Sequence, residues 1–286
     1  MLDVAHLEIH VAHACNLKCE SCSHYSDQGH KGVVSLADAD HWMAAWSGRL
    51  RLGTFSLVGG EPTIHPELAE FVRLARKHWP HSYLRLVTNG FFLHNHRDLP
   101  RVLTGDRKAR IFLSIHHDAP EYLAKLKPNY LLLKAWQRDY GIRVSYYKSF
   151  GHWRRTYRGA DLKMQPYEDG APRRSWENCD AKGCPQLFDA KIWKCSPLAY
   201  LRMQDAKHKV SDKWAPYLRY QPLEPGCNDE EMKAFFAKED EPYCAMCPAQ
   251  PEKFKLAIPL VQVRRQSPLP LDSAPPDFVT SGSMAI

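Results

Sequence analysis

Short apolar segments alternate with segments of helical period along the first 150 residues. Leu7, Ile9 and Val11 alternate with polar residues in the first apolar segment, which predicts a strand. Four more strands are predicted at "TFSLV", "YLRLVTNG", "RIFLSIHH" and "IRVSYYKSF". Strands that alternate with helices over short connections are typical of a parallel sheet with helices outside it, either open or curled into a barrel.

Helix boundaries are indicated by capping residues between these strands. Ser35 begins "SLADADHWMAAWSG" in a pattern that resembles a capping box, and Gly48 ends it. Pro66 occupies the first position of the next predicted helix, and Gly141 follows "NYLLLKAWQRDY". A later short helix, "DEEMKAFFA", has Asn228 as its cap. Residues 1–150 therefore predict an α/β domain.

Each unusual motif lies at the carboxyl end of one of the predicted strands. The segment "HACNLKCESC", the sequence "GGEP", the sequence "TNG" and the sequence "SIHH" all occupy such positions. In parallel α/β folds the ligand binds at the carboxyl ends of the strands. The sequence therefore predicts a single site to which several strands contribute.

Composition narrows the class of protein. The chain has 286 residues, of which 44% are hydrophobic and 25% are charged, and these values are typical of a globular protein with one large domain or a large and a small one. The net charge of +7 favours anionic ligands, but no nucleic-acid-binding motif accompanies it. No apolar run is long enough for a membrane span and no signal peptide is evident, so we expect a cytoplasmic protein.

Nine cysteines in a cytoplasmic chain favour metal or redox sites over disulfides. Cys15, Cys19 and Cys22 follow the first strand within eight residues. Three thiolates on a four-iron cluster leave one iron without a protein ligand, and such an open position is what catalysis requires. The alternative is a zinc site with His13 or His24 as the fourth ligand.

The C-x3-C-x2-C spacing after a first strand, with "GGEP" at the end of the second, resembles the radical S-adenosylmethionine superfamily. The resemblance implies a partial (β/α)6 TIM-like barrel. It also implies that Cys15, Cys19 and Cys22 hold a [4Fe-4S] cluster whose open iron is chelated by the methionine end of S-adenosylmethionine. In that family an electron from the reduced cluster releases a 5′-deoxyadenosyl radical, which abstracts a hydrogen atom from the substrate.

The same resemblance implies the residues that bind S-adenosylmethionine. The glycines of "GGEP" allow a close approach of the backbone to the methionine moiety, the glutamate accepts a hydrogen bond from its ammonium group, and the strand-end residues contact ribose or carboxylate. These residues are Gly59, Gly60, Glu61, Pro62, Asn89 and Ser114. Ser21 departs from the family, which commonly has an aromatic residue there, and Tyr25 is the nearby ring that could replace it.

Six further cysteines between residues 179 and 247 resemble the auxiliary-cluster domains called SPASM and twitch. The predicted hairpin "QLFDAKIWKC" turns at Asp189 and Ala190. The resemblance implies a second [4Fe-4S] cluster on a twitch-like domain, with Cys179 as an alternative to the first of its ligands; a zinc site with the same thiolates remains open, and Cys227 is unassigned. The expected ligands are Cys184, Cys195, Cys244 and Cys247.

The predicted organisation is a catalytic core over residues 1–150, with an extension to about 175 left open. A twitch-like domain follows over residues 176–255, and a Pro-rich disordered tail over residues 256–286. Substrate candidates at the strand ends and in the cysteine loop are Tyr25, His116, Tyr146 and Lys148.

The predicted function is hydrogen abstraction from a substrate carbon. The resemblance favours oxidation of a sugar, an aminocyclitol or another natural-product small molecule, with the auxiliary cluster accepting an electron and a flavodoxin or ferredoxin as external donor. One alternative is modification of a ribosomal peptide by cross-linking or by epimerisation, with Cys227 or Cys179 as hydrogen donor. Another is a zinc-stabilised binding protein without redox chemistry.

Overall fold

The computed structural model of the chain describes residues 1–151 and 153–258. The predicted tail lies, from residue 259 onward, outside the described residues. No described helix is both long and apolar enough to cross a membrane.

Five parallel strands and four helices make up the first part of the chain, as the alternating pattern predicts. Neighbouring strands pair in the order in which they occur along the chain, β1 with β2 and so on to β5. The strands are β1 Leu2–Ala12, β2 Leu50–Gly59, β3 Tyr83–Thr88, β4 Ala109–Ile115 and β5 Val144–Lys148. The helices are α1 Leu36–Ser47, α2 Leu68–His78, α3 Leu99–Leu103 and α4 Pro120–Tyr140.

The sixth parallel strand comes from the cysteine-rich part of the chain. Strand β6, Gln186–Phe188, pairs with β1 on the side away from β2, and β7, Lys191–Trp193, pairs antiparallel with β6. The sheet order is therefore β5-β4-β3-β2-β1-β6-β7. The expected α/β fold is confirmed: the sheet is mostly parallel, consistent with a partial TIM-like barrel, and the sixth strand lies beside β1.

The hairpin predicted at "QLFDAKIWKC" is confirmed. Asp189 and Ala190 have φ angles of 55° and 58° between β6 and β7. Both central residues of a type I′ turn require positive φ, which suits the twist of a two-residue hairpin. The carbonyl of Ala190 accepts a hydrogen bond of 2.7 Å from the Trp46 indole of α1, so the turn is fixed to the outer layer of helices.

Four further α-helices follow in the rest of the described chain. They are α5 Pro172–Glu177, α6 Ser196–His208, α7 Ala215–Leu218 and α8 Asp229–Ala237. The predicted cap of α8 is confirmed, because the Asn228 side chain accepts from the backbone of Glu231 while the Glu231 side chain accepts from the backbone of Asn228. A 3₁₀ turn at Pro242–Met246 follows α8.

Helix α4 is longer than its predicted extent. The sequence predicts a helix from Asn129, but the helix begins at Pro120 and continues through Pro128. A proline removes one backbone donor from a helix interior. Asn129 is buried; its side chain accepts from the backbone of His94 and donates to the carbonyl of Phe91, so tertiary contacts fix this part of the helix.

The two faces of the sheet have different characters. Leu7, Ile9 and Val11 are fully buried in the main hydrophobic cluster, which also contains residues of α1, α2 and α4. The alternate residues of β1 are polar and project from the opposite face, since successive side chains of a strand point to opposite sides. A second hydrophobic cluster is formed around Trp193, Tyr200 and Trp214. The polar face of the main sheet is therefore the one available for a site.

Candidate active site

A cavity of about 640 Å³ lies against the polar face of the sheet and the ends of its strands. Both groups of cysteines line it, whereas Cys227 packs near the main hydrophobic cluster with its Sγ 3.6 Å from the Arg49 guanidinium. The cysteines that line the cavity are Cys15, Cys19, Cys22, Cys179, Cys184, Cys195, Cys244 and Cys247.

The loop that carries the first cysteines is held by its own backbone turns. Ser21 and Tyr25 adopt left-handed conformations, with φ of 59° and 54°. The Ser21 hydroxyl donates to the carbonyl of Tyr157 at 3.1 Å and accepts from the backbone of Thr156 at 2.8 Å. Ser21 therefore anchors the loop to the chain after β5, which gives a structural reason for a small hydroxyl residue at this position.

The three thiols of the loop are free and close enough to affect one another. Burial, followed by the charges of neighbouring thiols and carboxylates, raises the pKa of Cys15 and Cys19, and burial raises the pKa of Cys22 to about 11. Without a metal these groups are protonated near neutral pH. Metal binding requires thiolates, so it would release protons here.

The spacing of the thiols distinguishes two kinds of metal site. In a tetrahedral zinc site with Zn–S bonds of about 2.3 Å the sulfur atoms lie about 3.8 Å apart. Within residues 1–151 and 153–258, no three cysteine sulfur atoms lie within 4.8 Å of one another. His13 and His24, the alternative zinc ligands, pack with the buried His10, and the His10 and His13 Nδ1 atoms are 3.0 Å apart. The wider spacing of the cysteine sulfur atoms suits a multi-iron cluster better than a single zinc ion.

The two glycines of "GGEP" allow the end of β2 to pack against the cysteine loop. The backbone N–H of Gly60 donates to the carbonyl of Ala12 at 2.7 Å. A Cβ atom on Gly60 would lie 2.4 Å from the carbonyl oxygen of Ala14, and one on Gly59 would lie 2.6 Å from that of Ala12. The backbone of these glycines thus closely approaches another part of the same chain, namely the segment that leads into Cys15.

Glu61 is fully buried and joins the ends of β2 and β3. Its Oε1 atom accepts from the backbone and hydroxyl of Thr63 and from the hydroxyl of Thr88, and its Oε2 atom accepts from the backbone of Asn89 at 2.7 Å. Burial raises the pKa of this carboxyl, while the donors oppose the rise. Oε2 retains capacity for a further donor. Pro62 is buried in the 3₁₀ turn that follows and does not line the cavity.

Asn89 and Ser114 both line the cavity at the ends of β3 and β4. The Asn89 side chain donates to the Asn16 side chain at 2.8 Å, and its Nδ2 lies 3.9 Å from the Cys15 Sγ. The Ser114 and Ser149 hydroxyls form a hydrogen bond of 2.7 Å. The structure therefore brings the predicted strand-end residues and the cysteine loop to one cavity.

The substrate candidates separate into two groups. His116 lines the cavity, with its Nδ1 3.3 Å from the Cys19 Sγ, and burial lowers its pKa to about 4, so the ring is neutral. Tyr25 does not line the cavity, because its ring is buried against Tyr157 and its hydroxyl donates to the carbonyl of Pro197.

Tyr146 and Lys148 do not line the cavity either. The Tyr146 hydroxyl donates to Gln137 of α4, on the opposite face of the sheet, and Tyr147 lines the cavity instead. Adjacent side chains of a strand point to opposite faces of the sheet, so the prediction of Tyr146 in place of Tyr147 selected the face away from the cavity. The register of β5 with β4, which pairs Tyr147 with Ser114, fixes this alternation.

The cysteines of the second group occupy separate elements that converge on the cavity. Cys179 follows α5, Cys195 is the residue before α6, and Cys244 and Cys247 form a turn with a backbone hydrogen bond of 3.1 Å. Burial and the neighbouring thiols of Cys179, Cys195 and Cys244 raise the pKa of Cys247. Cys179 is thus close to the other three.

Cys184 also lies near Cys179, but Glu8 has the larger effect on its pKa. Burial, and next to it the charge of Glu8, raises the pKa of the Cys184 thiol to about 12. Glu8 and Arg85 also line the cavity from β1 and β3. Sequence reasoning missed both, although their place on the polar face follows from the period-two pattern of their strands.

The first part of the chain is similar in sequence to known proteins. Residues 9–140 match the family model described as the radical SAM superfamily. A probable GTP 3′,8-cyclase of Saccharolobus solfataricus is 32% identical over 110 residues, which are 38% of this chain and 34% of that protein. A probable GTP 3′,8-cyclase of Saccharolobus islandicus is 30% identical over 120 residues, 42% of this chain and 37% of that protein.

Among solved structures, BtrN in complex with AdoMet and 2-DOIA covers 83% of this chain and 92% of its own, with 16% identity and a TM-score of 0.44. The chain spans about a third of the length of the curated relatives that it matches. The matched segment contains the cysteine loop and "GGEP", which the structure brings to one cavity. Residues 9–140 of the chain are therefore similar to the radical SAM superfamily of enzymes.

Proposed function

We propose that this chain cleaves S-adenosylmethionine reductively and uses the resulting 5′-deoxyadenosyl radical to abstract a hydrogen atom from a small-molecule substrate. The observation that carries the proposal is the convergence of Cys15, Cys19 and Cys22 with the "GGEP" segment at one cavity. A bound [4Fe-4S] cluster supplies the electron for the cleavage. The family provides this chemistry, and the residues around the cavity fit it.

The residues of the chain have distinct roles in this proposal. Cys15, Cys19 and Cys22 provide thiolates for three irons. The remaining lone-pair capacity of Glu61 Oε2 suits an ammonium donor, although this carboxylate chiefly fixes the ends of β2 and β3. The neutral His116 ring, 3.3 Å from the Cys19 sulfur, positions that thiolate and limits the access of water to it. Ser114 and Asn89 offer polar groups to the ribose or carboxylate.

The proposal is tested by anaerobic incubation of the iron-loaded protein with S-adenosylmethionine and dithionite, followed by chromatography. We expect 5′-deoxyadenosine and methionine in equal amounts. Reduced flavodoxin or ferredoxin is expected to replace dithionite as the donor. A fully iron-loaded protein that releases no 5′-deoxyadenosine would contradict the proposal.

For the auxiliary cluster we propose Cys179, Cys195, Cys244 and Cys247 as ligands. The mutual effects of these four thiols on their pKa values support this set, whereas Cys184 is coupled mainly to Glu8. A four-cysteine set leaves no iron open for substrate, so the role of such a cluster would be electron transfer or structure. If the substrate undergoes net oxidation, a cluster held by these four cysteines would provide an acceptor for the electron that remains after hydrogen abstraction.

Replacing Cys179 by Ser is expected to remove about four of about eight irons per chain. The reason is that a four-iron cluster is lost as a unit when one of its ligands is removed. The measurement is the iron content after anaerobic reconstitution. The matched control is Cys184→Ser, which alters a thiol of the same cavity and is expected to retain the iron. The reverse result would assign Cys184 to the cluster.

The size of the cavity supports a small substrate. Ligand cavities commonly measure about 300–1,000 Å³, and the 640 Å³ here must contain the cofactors as well as the substrate. A sugar or aminocyclitol fits better than a folded peptide segment. Peptide modification remains the alternative, and epimerisation through Cys227 is disfavoured, because that thiol lies away from the cavity.

A further inference from the structure

Three side chains of metal-ligand type meet beside the cavity, apart from both cysteine groups assigned above. They are His6, Glu8 and Cys184. One ligand atom from each lies within 4.8 Å of the other two, and within the described residues no other group of three meets this criterion. His6 and Glu8 are largely buried, with 12% and 10% of their side-chain surface exposed.

Strand pairing explains why they meet. β1 and β6 are parallel, and Glu8 pairs with Gln186. His6 and Cys184 each lie two residues earlier in their chains, so the same register places them opposite each other on the same face. The backbone N–H of Glu8 donates to the carbonyl of Pro185 at 3.0 Å, which holds the register next to Cys184. Two of the three side chains thus lie on β1, and Cys184 lies two residues before β6 at the end of the same sheet.

Neighbouring groups orient the two ligands from β1. The carbonyl of Gly183 accepts a hydrogen bond from the His6 ring. The Gln186 side chain donates to Glu8 Oε2 at 2.7 Å. Ligating histidines and carboxylates in metal sites are commonly oriented by such partners. His6 Nε2 and Glu8 Oε1 then face each other at 3.4 Å, close to the separation of about 3.4 Å expected between two ligands bound at about 2.1 Å in a tetrahedral zinc site.

The charges also suit a divalent cation. Glu8 and Cys184 would each bind as an anion, and His6 as a neutral imidazole. The two negative charges would neutralise the two positive charges of the metal ion. Arg85 lines the same cavity and lies with its guanidinium carbon 4.7 Å from the centre of the Phe112 ring. In the metal-free chain Arg85 partly neutralises Glu8, and the Ser56 hydroxyl occupies the His6 Nε2 atom at 2.7 Å.

We propose that His6, Glu8 and Cys184 bind one zinc-class divalent ion, with the fourth position open toward the cavity. Nitrogen, oxygen and thiolate donors together match the preferences of zinc, and three protein ligands with one open position are typical of its catalytic sites. A substrate hydroxyl or a water molecule would occupy that position. Binding of the metal does not depend on the radical chemistry proposed above, whereas its use for holding substrate does.

The site is tested by metal analysis of the anaerobically reconstituted holoenzyme after exposure to Zn²⁺ and gel filtration. We expect about one zinc per chain in addition to the iron. His6→Ala and Cys184→Ser are each expected to lower the bound zinc at least about tenfold, since loss of even an outer partner of a metal ligand costs about 10–100-fold in affinity. The iron content should stay unchanged in both variants.

Cys227→Ser is the matched control, because it removes a thiol outside the cavity and should keep the zinc. Glu8→Gln preserves volume and serves as the second variant if Cys184→Ser does not fold. Wild-type protein without bound zinc, or zinc content indifferent to His6→Ala, overturns the site. Loss of about four irons from Cys184→Ser would overturn it in favour of a cluster ligand. The release of 5′-deoxyadenosine reports separately on the radical chemistry.

Discussion

Replacing Cys19 by Ala is expected to abolish the release of 5′-deoxyadenosine from S-adenosylmethionine. Cys19 is a buried residue, whereas Cys15 and Cys22 are partly exposed, and the Cys19 sulfur contacts His116. Without it two thiolates remain for a cluster that needs three from the protein. Since loss of an outer partner alone costs about 10–100-fold, loss of a ligand should reduce the rate by more than about 100-fold.

The same variant should lose about four irons and keep the about four that belong to the auxiliary site. Cys227→Ala is the control, because it removes a partly buried cysteine that lies away from both sites. Iron content and the yield of 5′-deoxyadenosine are measured on the same anaerobic preparation. Unchanged yield from Cys19→Ala, or equal loss in both variants, would refute the assignment of the loop.

Replacing Gly60 by Ala is expected to destabilise the fold by more than about 3 kcal/mol, at the upper end of the effects of overpacking. The new Cβ would lie 2.4 Å from the carbonyl oxygen of Ala14, 2.7 Å from its carbonyl carbon and 2.8 Å from the carbonyl oxygen of His13. These are backbone atoms of the cysteine loop, which cannot rotate away as a side chain does. The loop must shift, and its thiols shift with it.

Gly48→Ala is the matched control for this substitution. Gly48 ends α1 with φ of −75°, and no atom lies within 4 Å of a Cβ built there. Such a change is expected to leave stability the same or raise it by about 0.4–1 kcal/mol. The measurement is urea unfolding followed by circular dichroism, with iron binding as a second readout. Equal stability of the two variants would mean that the end of β2 does not pack against the loop as described.

The first five strands could be predicted from the sequence because each carries a strong local pattern. Period-two alternation in β1 and apolar runs in the other strands require only neighbouring residues. Strand β6 has three residues, and its partner lies 178 positions away, from Glu8 to Gln186. A sequence pattern contains no information about such a pairing, so the position of this strand beside β1 could not be predicted.

The same limit applies to the cysteines of the second part. Spacing alone allows either Cys179 or Cys184 to accompany Cys195, because both distances fit a hairpin ligand pair. The choice depends on which strand Cys184 joins, and β6 holds it next to β1 and Glu8. The first part of the helix that begins at Pro120 was missed for another reason. Pro128 is a local signal for a helix boundary, but tertiary packing keeps the helix continuous through it.

Site residues could be predicted from the sequence where they belong to a motif. They could not be predicted where the assignment depends only on which face of the sheet a side chain occupies. The cysteine loop, Asn89 and Ser114 meet at one cavity as their positions after strands indicate. Tyr146 and Tyr147 are adjacent, and only the register with β4 decides which faces the cavity. Tyr25 follows the last loop cysteine by three residues, but its ring packs into the second hydrophobic cluster.

The pairing of β6 with β1 also determines what a truncated chain would expose. A fragment that stops at residue 150 would leave the N–H and C=O groups of β1 around Glu8 and Ile9 without partners. An unprotected strand of this kind is a template for self-association. The 150-residue barrel segment would therefore be prone to aggregate when expressed alone, and the cysteine-rich part serves the first part as a protective cover as well as a carrier of metal ligands.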